Sequence, residues 1–274
     1  MELPKVAVII SNYNYGKYVV EAITSALNQD YDGEIRVVVV DDGSSDGSWQ
    51  MLNEHFEDDW TSGAEEHQIS TPYYTGPMKY FVCDDLNLWI FNIRNSGAST
   101  ARNVAIWEAW QWADYFAILD ADDMYDPSKV RKHVDKMMEH DEIGVTYSDY
   151  VIHRTTHGSD YNKYEYKYPY SRDELRRQCI VHSAGVIKKG FLEAVVNLEN
   201  KEFYNSDLHG PGSQEFIGCT EDYDLWLRLS DVCMMSHIPQ PLSVVRETGQ
   251  NQSMKMTPEI FQNNAAIISG GQNA

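Results

Sequence analysis

The sequence predicts an α/β fold, a mostly parallel central sheet with helices on both faces. Three short apolar runs carry the prediction: KVAVII at 5–10, IRVVVV at 35–40 and YFAIL at 115–119. Continuous runs of this kind fit strands of a parallel sheet that is covered on both sides. Between the first two, Val19, Val20, Ile23, Ala26 and Leu27 recur at three- and four-residue spacing, the period of a helix. Strand, helix and strand at this separation make a βαβ unit.

The remaining elements follow in order. A helix over about 99–113 turns Ala101, Val104, Ala105, Ala109, Trp112 and Ala113 towards the core. After the third strand, Asp126 caps a helix whose first position suits Pro127, and Val130, Val134, Met137 and Met138 form its buried stripe. Residues 143–148 read as a strand, and the Tyr-rich stretch 150–170 as a long loop or hairpin. Residues 184–196 predict a strand running into a helix. A helix over 221–232 has Leu225, Trp226 and Leu229 on one face, and 242–246 make a strand. Beyond about 257 the signals fade. With no repeat and no linker, we expect one domain over 1–256 and a tail over 257–274.

Composition narrows the function. Of 274 residues, 42% are apolar and 23% charged, as in a globular protein with a full core. A net charge of −20 argues against nucleic acid as a partner, because phosphates need a basic stripe. It argues equally against docking on anionic lipid. No apolar run approaches the ~20 residues of a membrane span. The start, Met1-Glu2-Leu3-Pro4-Lys5, lacks a signal-peptide core. Cys83, Cys179, Cys219 and Cys233 are scattered and read as reduced thiols, so a cytoplasmic location is expected.

Each parallel strand ends in polar residues: Ser11-Asn12-Tyr13, Asp41-Asp42-Gly43-Ser44 and Asp120-Ala121-Asp122-Asp123. Ligands of open α/β sheets bind at the carboxyl ends of the strands, so topology alone brings these groups to one cleft. The Asp41–Asp46 stretch reads either as a turn with a cap or as a carboxylate receiving a ligand N–H or hydroxyl. No glycine-rich phosphate loop follows the first strand, which disfavours a nicotinamide dehydrogenase and a P-loop kinase. The Asp120–Asp123 cluster is self-repelling unless it is solvated or holds a cation. Carboxylate oxygens suit Mg²⁺ or Mn²⁺, which complete their shell with phosphates and water. Its alternative is a solvated acidic turn.

Five stretches together resemble a family 2 glycosyltransferase of the GT-A fold, a Rossmann-like nucleotide-sugar-binding architecture. They are VAVIISNYNYGKYVVEAITSALNQDY, VVVVDDGSSDGS, NIRNSGASTARNVAI, FAILDADDMYDPSKV and TEDYDLWLRL, in family order over about residues 5–232. The resemblance implies an inverting transfer of a sugar from a nucleoside-diphosphate-sugar, most simply a UDP-sugar, to an acceptor hydroxyl. It implies that Ser11 and Tyr13 lie near the nucleoside, and that Asp42 accepts a hydrogen bond from the base with Asp41 in support. Arg102 would lie beside the base or diphosphate, or else act as a structural bridge. Asp120 would reach the ribose or sugar. Asp122, in an Asp-x-Asp motif, would ligate Mn²⁺ or Mg²⁺, with Asp123 behind it. Asp222 would be the general base, because an acceptor hydroxyl must lose its proton as the new bond forms. The other reading of Glu221-Asp222 is a pair of acids favoured by a helix start.

His182 and Glu221 are candidate acceptor-side residues, and Trp89, Tyr223 and Trp226 candidate stacking or core aromatics. On this reading the donor-binding half covers about 1–125 and the acceptor-side half about 126–256. The acceptor would be a glycan, a lipid-linked group or another hydroxyl. Two departures stand out. Thr248 occupies the place of a usual His in Arg246–Ser253, and residues 56–92 are longer than this connection usually is, which suggests a hairpin or lid near the acceptor. A rival from another class is a non-catalytic module that binds a nucleotide-sugar or glycan on the same scaffold.

Overall fold

The computed structural model describes residues 2–156, 159–196, 202–206 and 221–249. In chain order the elements are β1 (Val6–Asn12), α1 (Gly16–Leu27), β2 (Ile35–Asp41), α2 (Ser48–His55), β3 (Ser62–Ser70), β4 (Thr75–Cys83), β5 (Leu88–Ile93), α3 (Ala98–Ala109) and β6 (Tyr115–Asp120). There follow β7 (Met124–Tyr125), α4 (Lys129–Met138), β8 (Ile143–Thr156), β9 (Ser159–Glu165), α5 (Arg172–Leu175), β10 (Val186–Lys188), α6 (Lys189–Ala194), α7 (Glu221–Ser230) and β11 (Met234–Arg246).

The strands form one sheet in the order β3-β4-β5-β2-β1-β6-β10-β8-β11-β7, with β9 paired to β8. Its centre, β5-β2-β1-β6, is parallel throughout. β10 is antiparallel to both β6 and β8, so β8 runs the same way as β6. Successive side chains of a strand point to opposite faces. On β1, Val6, Val8 and Ile10 accordingly join one apolar cluster with residues of α1, α2 and α4. Ala7 and Ile9 join the other, with residues of α3, α6 and α7. Helices therefore cover both faces, as the sequence predicts.

Several boundaries differ from expectation. The third helix stops at Ala109, and Ala113 is reached through a turn in which its N–H donates to the Ala109 carbonyl (2.9 Å). The helix expected at Pro127 begins at Lys129, because Asp126 makes a tight turn instead: its Oδ1 accepts from the Ser128 N–H at 2.9 Å. Strand 143–148 continues to Thr156 and folds back as the β8–β9 hairpin, the hairpin alternative for the Tyr-rich stretch. Within 56–92, β3 and β4 form the hairpin, but LWIFNI is β5, parallel to β2 inside the sheet. Met78, Phe81 and Cys83 of β4 are buried, so the hairpin extends the core rather than hanging free as a lid. No described helix is long and apolar enough to cross a membrane. The described cysteines, Cys83, Cys179 and Cys233, are free thiols. The expected tail over 257–274 lies outside the described residues.

Candidate active site

Strand register brings the polar ends together. Ser11 on β1 stands opposite Val40 of β2 and Asp120 of β6, and Asn12 stands opposite Asp41. The loops after β1 and β2 are stitched to each other. Asn14, held at φ 61°, accepts the Ser45 N–H on its Oδ1 at 2.7 Å, and its own N–H donates to Ser44 Oγ at 2.9 Å. This tie leaves the neighbouring Tyr13 ring 46% exposed at the rim, where a flat ligand can reach it.

The two carboxylates after β2 face inward. Asp41 is fully buried and accepts from Asn12 Nδ2 (2.7 Å), Ser44 Oγ (2.5 Å) and Asn92 Nδ2 (2.6 Å). It acts as a clasp between β1, β2 and β5. Asp42 accepts from the Ser96 N–H at 2.7 Å and the Gly97 N–H at 2.8 Å, fixing the loop that leads into α3. Burial pushes its carboxyl up to about 7 despite those bonds. Gly43 makes this approach possible. At φ +66° a Cβ there would sit 2.6 Å from the Asn95 nitrogen.

In the second turn of α3, Arg102 is buried and bonds three elements together. One amino group donates to Asp120 Oδ1 at 2.9 Å, the other to Glu221 Oε1 at 2.8 Å, with Asp222 Oδ1 at 3.8 Å. Its guanidinium also lies 5.3 Å from the Tyr204 ring centroid. The guanidinium thus bridges carboxylates of β6 and α7. Burial alone would raise the Asp120 carboxyl, but the adjacent Arg102 overrides it and holds the group below its ordinary value. Ser183 donates to the other oxygen of Asp120 at 3.1 Å.

Asp222, on the first turn of α7, is different. Burial, ahead of the attraction of Arg102, pushes its carboxyl up to about 7. Its Oδ1 has no hydrogen-bond partner among the described residues. Glu221, by contrast, is committed to Arg102.

Past Asp120 the chain turns through Asp122 and Asp123. Burial and the negative charge of Asp120 push Asp122 up to about 7, and burial with both neighbouring carboxylates raises Asp123 well above its ordinary value. Arg246, at the end of β11, partly offsets them. Its N–H donates to Asp123 Oδ1 at 2.9 Å, one amino group donates to the Asp122 carbonyl at 3.0 Å, and the other to Glu21. Among the described residues no three His, Cys, Asp or Glu side chains are grouped to hold a metal by themselves. The donor set is nonetheless hard oxygen with surplus negative charge. It fits a cation that takes the rest of its shell from a diphosphate and water.

His182 lies between this centre and β8. Its ring is 4.3 Å from that of Tyr150, and its Nδ1 accepts from the Ala184 N–H at 3.1 Å. Burial, aided by Lys167, lowers its pKa to about 3, so the imidazole stays neutral. Of the candidate aromatics, Trp226 and Tyr223 are buried in the core. Trp89 packs on the Arg36 guanidinium, 4.0 Å from its ring centroid.

Ser11, Tyr13, Asp41, Asp42, Arg102, Asp120, Asp122, Glu221 and Asp222 are thus carried by adjoining strand ends and helix starts. Arg246, Ser183 and Tyr15, whose hydroxyl bonds Asp122, were not among the candidates. Only Arg246 had a visible signal, as the first residue of the stretch with the His-to-Thr departure.

Comparison with known proteins accords with this geometry. The chain is 25% identical over 97% of its length to chondroitin synthase of Escherichia coli, of which it spans 32%. It is 25% identical over 91% of its length to an uncharacterized glycosyltransferase of Haemophilus influenzae, spanning 68% of that protein. Among solved structures, TarS of S. aureus in complex with UDP-GlcNAc superposes with a TM-score of 0.61 at 19% identity, over 96% of this chain and 65% of that one. A mannosyltransferase from Pyrobaculum calidifontis, in complex with GDP-Man and Mn²⁺, superposes with a TM-score of 0.60 at 15% identity, over 97% and 69%. These two establish the shared GT-A fold. The family pattern itself matches residues 7–64 and 84–196, and the stretch it skips covers most of the β3–β4 hairpin. The long connection is therefore an insertion of that hairpin alone, and the chain belongs to glycosyl transferase family 2.

Proposed function

We propose that the chain transfers a hexosyl group from a UDP-sugar to an acceptor hydroxyl with inversion at the anomeric carbon. The observation that supports this most is Asp222, a carboxyl raised to about 7 whose Oδ1 accepts no hydrogen bond among the described residues. Asp222 Oδ1 takes the acceptor's hydroxyl proton while that oxygen bonds to the anomeric carbon. The bond from that carbon to the diphosphate oxygen breaks on the opposite face. A single displacement of this kind needs no enzyme nucleophile and inverts the centre.

Arg102 and Glu221 hold the α7 start against β6, which fixes the base relative to Asp120. Tyr13 and Ser11 border the nucleoside, with Asp42 and Asp41 beneath. Asp122 would hold Mn²⁺ or Mg²⁺, and such an ion would neutralise the charge gathering on the leaving diphosphate. TarS, with UDP-GlcNAc bound, shares the fold, and on that ground a UDP-sugar is the donor we favour.

The test is release of nucleoside diphosphate from a panel of UDP- and GDP-sugars with and without Mn²⁺, in wild type and Asp222→Asn. The variant is expected to lose about 10²-fold or more in turnover, the scale of general-base catalysis. Its UDP affinity by calorimetry should not change. Wild-type rates in Asp222→Asn would remove Asp222 as the base. UDP binding without release from any donor would favour a binding module.

A further inference from the structure

We propose that the cleft between residues 166–170 and the start of β11 binds an oligosaccharide chain, the distal sugars of the acceptor. This rests on the glycosyltransferase reading above and extends it to the acceptor's class.

The cleft holds about 590 Å³ and is lined by Tyr166, Lys167, Tyr170, Met234, His237 and Asp149 among others. That volume lies within the range of pockets that take small ligands, roughly 300–1,000 Å³. Tyrosines recur at alternate positions 164, 166, 168 and 170. Tyr164, Tyr166 and Tyr168 are 37%, 73% and 62% exposed, and the rings of Tyr164 and Tyr166 lie 4.4 Å apart. Rings grouped in water leave apolar surface bare, which marks a surface meant to be covered.

The lining says by what. Asp149, almost fully buried, accepts from His237 Nε2 at 2.8 Å and from the Lys167 N–H at 2.8 Å. The bond fixes one edge of the His237 ring, which is itself held by stacking on Tyr147 at 5.3 Å and is part of the cleft lining, where it offers a polar edge to a hydroxyl. Amphipathic rings beside a few rigid polar groups match a pyranose, which has an apolar C–H face and a hydroxyl rim. Nucleic acid is disfavoured by the net charge of −20.

Position favours the acceptor over the donor. Val186 of β10 pairs with both Ala117 and Thr146, so Asp149 stands level with Asp120 at the sheet's carboxyl edge. It lies on the side of β6 away from β1 and β2, which carry the nucleoside candidates. A run of packed side chains links the cleft lining to the centre. Lys167 Nζ lies 5.9 Å from the Tyr150 ring centroid, Tyr150 packs on His182, and the adjoining Ser183 bonds Asp120.

The test is an array of defined oligosaccharides, disaccharide to octasaccharide, in neutral and uronate-containing series, probed with the full chain. Wild type is expected to bind at least one series with a signal rising with length. Tyr166→Ala/Tyr168→Ala should weaken that binding by about tenfold or more, through loss of the Tyr166 ring that lines the cleft and of the exposed Tyr168 ring two residues on. His237→Ala should weaken it as well. Tyr161→Ala, also exposed but of the opposite alternation, should leave it unchanged. Both tyrosines replaced are exposed, and the Tyr168 group that bonds Tyr147 is its carbonyl, so the fold survives. Binding of UDP with Mn²⁺, measured on the same proteins, separates the two readings. Normal UDP binding with no oligosaccharide captured, or with capture unchanged in the double variant, overturns the cleft. Failed UDP binding with tyrosine-dependent capture overturns the transferase and leaves the cleft standing.

Discussion

Replacing Arg102 with methionine should destabilise the fold far more than the loss of one side chain suggests, and increasingly so as pH rises. Methionine keeps much of the length and apolar bulk, so the change is mainly one of charge. Arg102 is 6% exposed and makes charge-assisted bonds of 2.8 Å to Glu221 and 2.9 Å to Asp120, with Asp222 at 3.8 Å. Removing one partner of a buried ion pair costs about 3–5 kcal/mol, because the other charge stays buried and unpaired. The Glu221 side chain is 5% exposed and carries that cost in full, whereas Asp120, at 30%, is partly screened by water. We therefore expect about 3–5 kcal/mol at pH 8, or a melting point lower by roughly 6–20 °C.

The pH dependence follows from the sign of the shifts. In the native protein Arg102 holds Asp120 below its ordinary value, so this carboxylate contributes stability above about pH 4 that is lost in acid. Without the guanidinium, burial and mutual repulsion raise the carboxyls, and each then opposes folding wherever the unfolded chain would be ionised. The deficit should be largest at pH 8 and should shrink as pH falls towards about 5. Urea unfolding of both proteins at pH 5 and pH 8 measures it. A deficit under about 1 kcal/mol at pH 8, or one equal at both pH values, would refute this account of Arg102.

Three further outcomes are expected. Asp122→Ala should lower UDP affinity at least about tenfold in the presence of Mn²⁺ and leave metal-free binding alone, read by calorimetry; equal loss with and without metal would show Asp122 acting otherwise. Phe81→Ala should cost about 3–5 kcal/mol, because this residue of the inserted hairpin is 1% exposed and packs on Trp49 and Trp60, 5.5 and 4.8 Å away; a near-neutral melt would make the hairpin decoration. Lys129→Met should stabilise the protein. Burial lowers the pKa of Lys129 to about 7, so the native lysine loses stability as pH falls from about 10 to 7, by about 1.4 kcal/mol per unit. The gain in melting temperature should be larger at pH 6.5 than at pH 10, and a gain independent of pH would count against a neutral buried lysine.

The sequence by itself determined the scaffold. KVAVII, IRVVVV and YFAIL hold the unbroken apolar stretches VAVII, VVVV and YFAIL, the pattern of strands covered on both faces, and they became β1, β2 and β6. Parallel strands with crossover helices put their carboxyl ends on one edge, so Ser11, Asp41, Asp42 and Asp120 were bound to meet whatever the rest of the chain did. β5 escaped notice because LWIFNI directly follows the β3–β4 hairpin, and its partner β2 is more than forty residues away in sequence.

Tertiary structure alone decided how the charges are shared. Local spacing cannot tell that Arg102 of α3 faces Glu221, 119 residues on, or that Arg246 reaches back 123 residues to Asp123. Nor can it separate Asp41, saturated by three side chains, from Asp222, whose Oδ1 accepts no hydrogen bond among the described residues. Both are aspartates at the ends of regular elements. What divides them is which neighbours the packed sheet and helices bring within hydrogen-bond reach and how much water they exclude, and those long-range contacts exist only once the chain has folded.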